Sequence, residues 1–400
     1  MIRKINVENY KSLPKLCLEL GRVTVLIGAN GSGKSNILEA IAFASAAAQN
    51  KLDNEFLISR GIRVTETQFM RSAFDKSLAK QHESKISYLK DDTSIETVHA
   101  QGNAIKINVE GDDEVGFGCE LYPDEKTSYP QWRQSVPIQI KELLESWIEA
   151  SLPGKTKVTP RLIEHFISLM WHDIRTGPAG SLPGFLVYSP ENSALRTFQA
   201  EGQILPLGIK GEGLFAHLKG LDSEHNRERL ENIRKRLKLI EWFESFVIPE
   251  NLSPGERVIK IQDQFIPGGV LFDQRSANEG FLFLLFYMTL FISPETPSFF
   301  SIDNIDNSLN PKICTELVRQ IYALASEYDK QVILTTHNPA VLDGLDLNDE
   351  NQRLVVVDRD KKGHTRVRRV DPPKPAAGKQ PISLSEAFMR GYIGGLPKNF

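Results

Sequence analysis

The chain has 400 residues, a length for which we expect two domains or one large domain with insertions. Its 48 Lys and Arg against 51 Asp and Glu give a formal net charge of −3. This balance excludes the strong overall positive field of the simplest nucleic-acid-binding proteins, although a local basic patch is still allowed. Three widely spaced cysteines, Cys17, Cys119 and Cys314, exclude a disulfide framework and a zinc-ligand pattern, and they favour a reducing compartment.

The N-terminal residues lack the continuous apolar segment of a secretory signal. The longest apolar run, 281–292, covers about 12 residues, which is short of the roughly 20 needed to cross a bilayer. We therefore predict a buried core helix for this run. We expect a cytoplasmic protein with no membrane contact.

The first part of the chain combines strand and helix patterns. Apolar residues at Ile2, Ile5 and Val7 alternate with polar ones and predict strands. Residues 22–27 are a β-branched run typical of a buried strand, and residues 36–48 are rich in Ala, Leu and Ile, which favours a helix. Between them lies a glycine-rich turn.

The middle of the chain changes character twice. Short β-rich segments separated by turns predict a β-meander over about 84–121, and helical spacing over about 131–171 predicts a helical insertion. A long helix is predicted over about 223–246. The later residues alternate strands with helices, which predicts a largely parallel α/β sheet; the segments are 298–303, 311–328, 331–336 and 353–358. The predicted domain divisions are 1–125, 126–183 and 184–400.

Residues 28–35, GANGSGKS, fit the phosphate-loop pattern G-x-x-x-x-G-K-[ST] in full. Its glycines let backbone N–H groups face phosphates, Lys34 reaches the β- and γ-phosphates, and Ser35 holds Mg²⁺. The alternative is a glycine-rich turn that matches by chance, but the strand before it and the helix after it are those the motif requires. The predicted nucleotide-binding residues of this segment are Asn30, Gly31, Ser32, Gly33, Lys34, Ser35 and Asn36.

A nucleotide site also needs a metal-side carboxylate on a neighbouring strand. The buried-type strand 298–303 ends in Asp303, which we predict as the Mg²⁺ carboxylate. An Asp at the end of a strand is common by itself, so the assignment depends on the phosphate loop.

These motifs make the sequence resemble the ABC-type ATPases, as in the heads of RecF, Rad50 and SMC proteins. Among these it is most similar to the compact AAA-labelled ATPases of bacterial phage-defence operons. The matching segments are IRKINVENYKSL, LIGANGSGKSNILEAI, YSPENSALR, LPLGIKGEGLF, FFSIDNIDNSLNP, ILTTHNPAVLD and FMRGYIGGLPKNF. The resemblance implies an α/β ABC-type ATPase head with a mostly parallel sheet, an N-terminal antiparallel β lobe and a helical insertion. It also implies ATP and Mg²⁺ as cofactors.

In that family two heads sandwich two ATP molecules, each held by one head's phosphate loop and the other head's signature helix. The resemblance assigns the signature to residues 275–280, with Ser276, Asn278 and Gly280 facing the partner's nucleotide. The alternative is an ordinary capped helix with Ser276 as the N-cap and Glu279 as its reciprocal partner.

The resemblance also makes His337, directly after strand 331–336, the switch histidine. A lone His at a strand end is more often structural.

One position departs from the family. Asp303 is followed by Asn304, where the family usually has the Glu that orients the attacking water. Asn can hydrogen-bond a water but cannot accept its proton, so we predict slow hydrolysis. Asp306 is a candidate substitute acting through a water.

Two basic segments, 227–238 and 366–369, are candidates for contact with DNA or RNA, although such runs are usually solvated surfaces. No long heptad stretch and no nuclease motif is present in the sequence. The first interpretation is a dimeric ATP-binding head that regulates an effector, a nuclease or toxin encoded by a neighbouring gene, in antiviral defence. The alternatives are a RecF-like clamp acting directly on DNA and a stand-alone ATPase with robust hydrolysis.

Overall fold

The computed structural model describes residues 1–49, 51–65, 67–72, 105–111, 117–124, 131–134, 182–223, 226–372 and 382–396. The predicted helical insertion, 126–183, lies outside the described residues except for 131–134 and 182–183. The first two strands of the predicted meander, within 84–100, also lie outside them.

An antiparallel sheet of five strands forms the N-terminal lobe, as predicted. Ile5 and Val7 point inward at alternate positions of its first strand, Ile2 joins them across a register shift, and all three are fully buried, as expected for an amphipathic strand. The strand order is β2-β1-β4-β5-β6. The last of these strands falls within the predicted insertion range and extends the sheet. The strands are β1 Ile2–Tyr10, β2 Leu13–Glu19, β4 Ile105–Gly111, β5 Phe117–Asp124 and β6 Gln131–Gln134.

A second, six-stranded sheet has the order β14-β13-β3-β12-β11-β7. Every pairing in it is parallel except that of β14 with β13, so the predicted parallel α/β sheet is confirmed. Its strands are β3 Val23–Ile27, β7 Val187–Tyr188, β11 Phe299–Ile302, β12 Gln331–Thr336, β13 Gln352–Arg359 and β14 Thr365–Arg369.

Helices cover both faces of the parallel sheet. Leu26 and Ile333 point to the face that carries α1 (Lys34–Ala48), while Val25 and Leu334 point to the face that carries α7 (Glu279–Ile292). Helix α7 is buried from 281 to 292, which confirms the predicted core helix. None of the described helices is long and apolar enough to cross a bilayer.

The other described helices are α2 Asn54–Ser59, α3 Thr67–Met70, α4 Asn192–Thr197, α5 Leu214–Leu221, α6 Arg227–Leu237, α8 Pro311–Glu327 and α9 Leu384–Met389.

The predicted long helix over 223–246 is wrong. Helix α6 ends at Leu237, and the residues after the next turn form strand β8 (Phe243–Val247). This strand joins β9 (Lys260–Asp263) and β10 (Leu271–Asp273) in a small antiparallel sheet. The side chains of Ile240 and Phe243 are buried, as their helical spacing predicted. The backbone of the segment nevertheless pairs with β9, and this pairing makes it a strand.

The C-terminal residues 382–396 dock on the chain's own head. Helix α9 packs on the 3-10 segment Pro339–Gly344, and Ser385 donates its N–H and its Oγ–H to the Asp343 carboxylate at 2.9 and 2.6 Å. The chain then turns so that a Cβ added at Gly395 would lie 3.7 Å from Cα of Gly28. The tail therefore connects the segment after β12 with the start of the glycine-rich loop.

Candidate functional site

Strands β3, β12 and β11 are neighbours and parallel, so their carboxyl ends meet at one edge of the sheet. The glycine-rich loop, His337 and Asp303 directly follow these three strands. Together they line a cavity of about 260 Å³. Its lining residues are Asn30, Gly31, Ser32, Gly33, Lys34, Ser35, Asn36, Arg63, Asp303, Asn304, His337 and Arg359.

Lys34 begins α1, and its side chain reaches back to the start of the loop. Its ammonium donates to the carbonyl oxygens of Gly28 and Ala29 at 2.8 and 3.1 Å. Burial lowers the pKa of Lys34 to about 8, although the nearby carboxylates of Asp303 and Asp306 act in the opposite direction. The Lys34 side chain therefore loses its positive charge at mildly alkaline pH.

The loop leaves no room for side chains at two glycines. A Cβ at Gly28 would lie 2.0 Å from the carbonyl oxygen of Val357, and one at Gly33 would lie 2.1 Å from Oγ1 of Thr365. Gly33 also has a φ of 110°, which other residues rarely adopt. Within the described part of the chain, the buried Oγ of Ser32 has no hydrogen-bond partner. A cradle of this form with an unpaired polar atom fits a phosphate group.

The carboxylate of Asp303 is held from two sides. Ser35 Oγ donates to its Oδ2 at 3.2 Å, and Thr335 Oγ1 donates to its Oδ1. Thr335 Oγ1 in turn accepts a hydrogen bond from the backbone N–H of Asn304 at 2.8 Å. A hydroxyl oxygen and a carboxylate oxygen at this separation are the hard ligands that Mg²⁺ prefers. The residues present therefore fit the predicted Mg²⁺ position.

Asn304 and His337 face the same cavity. Asn304 has a φ of 56°, a left-handed conformation that Asn tolerates better than most residues. His337 Nδ1 lies 3.5 Å from Nζ of Lys34. Burial, and then the charge of Lys34, lower the pKa of His337, so its imidazole is neutral at pH 7.

Asp306 lies behind the cavity and is not among the residues that line it. Its Oδ1 accepts from Thr336 Oγ1 at 2.6 Å, and that hydroxyl oxygen accepts from the N–H of Asn338 at 2.9 Å. Thr336 and Asn338 flank His337 in the chain. The geometry therefore makes Asp306 a positioning residue for the His337 segment.

Comparison with known proteins finds ATPase family models over both halves of the chain. A family model described as "AAA ATPase domain" matches residues 1–169, and one described as "AAA domain, putative AbiEii toxin, Type IV TA system" matches residues 189–343. The DNA double-strand break repair Rad50 ATPase of Sulfurisphaera tokodaii is 38% identical over 76 residues. That match covers 18% of this chain and only 9% of the Rad50 protein.

Solved structures share the fold at low sequence identity. An SMC head bound to the C-terminal winged-helix domain of ScpA is 16% identical, with a TM-score of 0.53, and the match covers 92% of this chain and 97% of that one. The SMC head domain from Thermotoga maritima is 15% identical, with a TM-score of 0.45, and the match covers 93% and 99% of the two chains.

These matches support an ABC-type ATPase that resembles the heads of RecF, SMC and Rad50 proteins. In this ABC-type head the phosphate loop, Asp303 and His337 are brought together as the motifs predicted. The predicted signature residues are not part of that cavity.

The predicted signature segment opens helix α7 on a different part of the head. Asn278 is the N-cap and accepts from the N–H of Phe281 at 2.8 Å, so the alternative in which Ser276 caps the helix is wrong. Ser276 and Asn278 are exposed. Asn278 and Gly280 line a separate groove of about 940 Å³. In one ABC-type head these residues therefore do not contact a ligand of its own phosphate loop.

Two arginines of the cavity were missed by the sequence interpretation. Arg63 donates from Nη2 to Oδ1 of Asn36 at 3.1 Å and pairs with Glu39, a carboxylate on α1 that is 2% exposed. Lys11 pairs with the same carboxylate, so the N-terminal lobe helps to fix Arg63. Nothing in the local pattern marks Arg63. Arg359 could have been found, because it ends a strand at the same sheet edge.

We expect Gly33→Ala to be much more damaging than Gly31→Ala. Both positions have positive φ, but a Cβ at Gly31 meets nothing within 4 Å, while at Gly33 it would displace Thr365. Gly31→Ala should cost about 1 kcal/mol of unfolding free energy for the left-handed conformation alone. Gly33→Ala should cost about 2 kcal/mol more, since the hydrogen bond from Thr365 Oγ1 to the Ser32 carbonyl is also lost. Urea unfolding measures both; equal losses would contradict the packing argument.

Nucleotide affinity should depend on the charge of Lys34. The ammonium is charged below its pKa of about 8 and neutral above it, and phosphate favours the charged form. The affinity for ATP should therefore be nearly constant from pH 6.5 to about 7.5 and fall by up to tenfold per unit above the pKa. Calorimetry at pH 8.5 in two buffers of different ionisation enthalpy should also show proton uptake on binding. A flat affinity profile with no proton uptake would disprove this role of the pKa.

Proposed function

We propose that this ABC-type head binds ATP with Mg²⁺, that two heads close around two ATP molecules, and that the closed dimer gates a separately encoded effector, a nuclease or toxin, in bacterial antiviral defence. The observation that carries the ATP-binding step is the convergence of Lys34, Asp303 and His337 in one cavity. The cytoplasm is the compartment we propose for this activity.

Each group in the cavity has a definite part in nucleotide binding. Lys34 supplies positive charge at the phosphates, and the backbone N–H groups of the glycine-rich loop supply donors. Ser35 Oγ and the Asp303 carboxylate would hold Mg²⁺, which neutralises phosphate charge when bound. Arg63 adds a second cation whose position is fixed by the buried Glu39.

The position of the signature residues supports a dimer. Ser276 and Asn278 are exposed at the N-terminus of a 14-residue helix and lie outside their own head's phosphate cavity. Donors at a helix N-terminus bind anionic groups, so these residues can serve the nucleotide of a second head. Each head therefore carries two half-sites, the phosphate cavity and the signature residues, on different parts of its surface. A complete nucleotide site forms only when the half-sites of two heads meet in a dimer.

The hydrolytic step should be slow. A water attacking the γ-phosphorus must lose a proton, and the cavity residue that follows Asp303 is Asn304, which can orient a water but cannot take its proton. The neutral His337 offers hydrogen bonding to the phosphate. A long-lived ATP-bound dimer suits a gate for an effector better than a motor.

The assignment to defence is supported by the resemblance to ATPases of phage-defence operons. The family description over residues 189–343 also refers to a toxin–antitoxin system. The effector is proposed as a separate protein.

Mass analysis of the protein co-expressed with its neighbouring genes tests this function. With Mg²⁺-ATP we expect a dimer of heads that carries a second protein, and without nucleotide we expect that assembly to dissociate. Ser276→Arg should prevent the dimer while single heads still bind ATP, because Ser276 lies outside the phosphate cavity. Lys34→Ala should prevent both. A dimer unaffected by ATP and by Ser276→Arg would exclude the sandwich arrangement, and the lack of any bound protein would exclude the effector.

Asn304→Glu tests the slow-hydrolysis step. We expect wild-type turnover below about 1 s⁻¹. A carboxylate at this position should raise the rate at least tenfold, since a positioned base contributes about 10²- to 10⁴-fold. Asn304→Gln is the matched control, because it lengthens the side chain without adding a base, and it should not accelerate hydrolysis. Steady-state phosphate release measures all three proteins. Equal rates for the Glu and Gln variants would mean that the rate-limiting group lies elsewhere.

A further inference from the structure

Helix α4 connects the metal side of the phosphate cavity with the predicted signature segment, 275–280. The strand before it, β7, pairs with β11, and the Tyr188 carbonyl at its end accepts the backbone N–H of Asp303 at 2.8 Å. The short link between β7 and α4 is also held, because the Glu191 N–H donates to the Lys210 carbonyl at 2.9 Å. The start of α4 is therefore fixed relative to the strand that ends at Asp303.

One guanidinium nitrogen of α4 holds the backbone on both sides of Ser276. Arg196 Nη1 donates to the carbonyl oxygen of Arg275 at 2.6 Å and to that of Ala277 at 2.8 Å. Hydrogen bonds from a charged donor are stronger than those between neutral groups. Ser276 lies between the two carbonyls and is exposed. Arg196 therefore fixes the backbone of the signature segment while the Ser276 side chain stays available.

The residues just before the signature segment are held by a different side chain. Gln274 is fully buried, and its Nε2 donates to the Arg257 carbonyl at 3.1 Å. Its Oε1 accepts the backbone N–H of Ile259 at 3.2 Å. These contacts fix the chain ahead of Ser276, and Arg196 fixes it at Ser276 itself.

A second contact of α4 reaches the first residue of helix α7. Asn192 Nδ2 donates to Oε1 of Glu279 at 2.6 Å, and Oε2 of the same carboxylate accepts from Ser308 Oγ at 2.8 Å. Ser308 lies in the turns between Asp303 and α8. Glu279 therefore joins three parts of the head: α4, the start of α7 and the segment after the metal-side carboxylate.

We infer that Arg196 is a positioning residue that sets the signature segment in the geometry needed to complete the nucleotide site of a second head. The inference rests on the proposed ATP-sandwiched dimer and deepens it. A binding segment that is held in its final geometry loses less conformational entropy when it meets its ligand. The guanidinium also places a positive charge beside residues that meet the phosphates of the partner's nucleotide in that dimer.

The simpler alternative is that Arg196 only stabilises its own head by fixing the start of α7. The two roles differ in the head that suffers the loss. Arg196 is not among the residues that line the phosphate cavity of its own head. If it positions the signature segment, its removal damages the nucleotide site of the other head and leaves its own phosphate cavity intact.

Mixing two inactive variants of the full chain tests this assignment by steady-state phosphate release with Mg²⁺-ATP. Arg196→Ala alone should lower the rate by about tenfold or more, because a displaced contact at a reaction site is costly. Lys34→Ala alone should be inactive, since it lacks the phosphate-loop cation. In a mixed dimer, the intact phosphate loop of the Arg196→Ala head meets the intact signature segment of the Lys34→Ala head. Half of the dimers are mixed and half of their sites are complete, so up to about a quarter of the wild-type rate should return.

Three controls accompany the mixture. Single Arg196→Ala heads should bind ATP with wild-type affinity, because Arg196 lies outside their phosphate cavity. Both hydrogen bonds of Arg196 come from one nitrogen, so a lysine ammonium with three donors can replace them. Arg196→Lys should therefore retain more activity than Arg196→Ala. Ser193→Ala changes an exposed side chain of the same helix and should hydrolyse ATP as the wild type does.

A reference mixture of Ser276→Arg with Lys34→Ala separates this inference from the proposed dimer. It should recover to the same extent as the Arg196→Ala mixture, because both substitutions affect the same half-site. Recovery in the reference mixture alone would show that Arg196 acts within its own head and would overturn the assignment, as would full activity of Arg196→Ala by itself. No recovery in either mixture would contradict the sandwich dimer, and the assignment with it.

Discussion

The parallel pairing of β3 between β12 and β13 is the constraint on which the site depends. All five residues of β3 and all six of β12 are buried, because helices cover both faces of the sheet. Parallel strands end at a common edge, so the loop after β3, His337 after β12 and Asp303 after β11 must lie close together. No long-range side-chain contact is needed to bring them there. The side chains then adjust a geometry that the backbone has already fixed.

Burial controls the chemistry of that edge. It lowers the pKa of Lys34 to about 8 and, with the charge of Lys34, keeps His337 neutral. A neutral histidine beside a lysine can accept or donate one hydrogen bond without adding repulsion. Asp306 acts from behind the cavity, through Thr336, on the segment that carries His337. Asp303 and Asp306, three residues apart in the chain, therefore have different roles: Asp303 faces the cavity, and Asp306 supports the segment that forms its wall.

Ion pairs to one buried carboxylate connect the two lobes. Glu39, on the helix that follows the phosphate loop, contacts Lys11 of the N-terminal lobe and Arg63 of the cavity. Removing Glu39 would leave the largely buried Lys11 ammonium without its carboxylate partner, which is the costly change in such a group. The C-terminal residues 382–396 add a second connection, because they contact both the segment after His337 and Gly28. A nucleotide that moves the loop would thus act on the N-terminal lobe and on the tail.

The sequence by itself predicted that the phosphate-loop motif, Asp303 and His337 meet at one sheet edge, and it predicted the buried helix α7 and the parallel α/β class. These follow from short contiguous motifs and from apolar periodicity, which depend on neighbours in the chain. Only the tertiary structure decided the end of α6, where pairing with β9 replaced the predicted helix by a strand, and the N-cap of α7 at Asn278. It also brought Arg63 and Arg359 into the cavity and placed Asp306 outside it. The physical reason is that strand pairing and contacts between residues far apart in the chain cannot be read from local sequence.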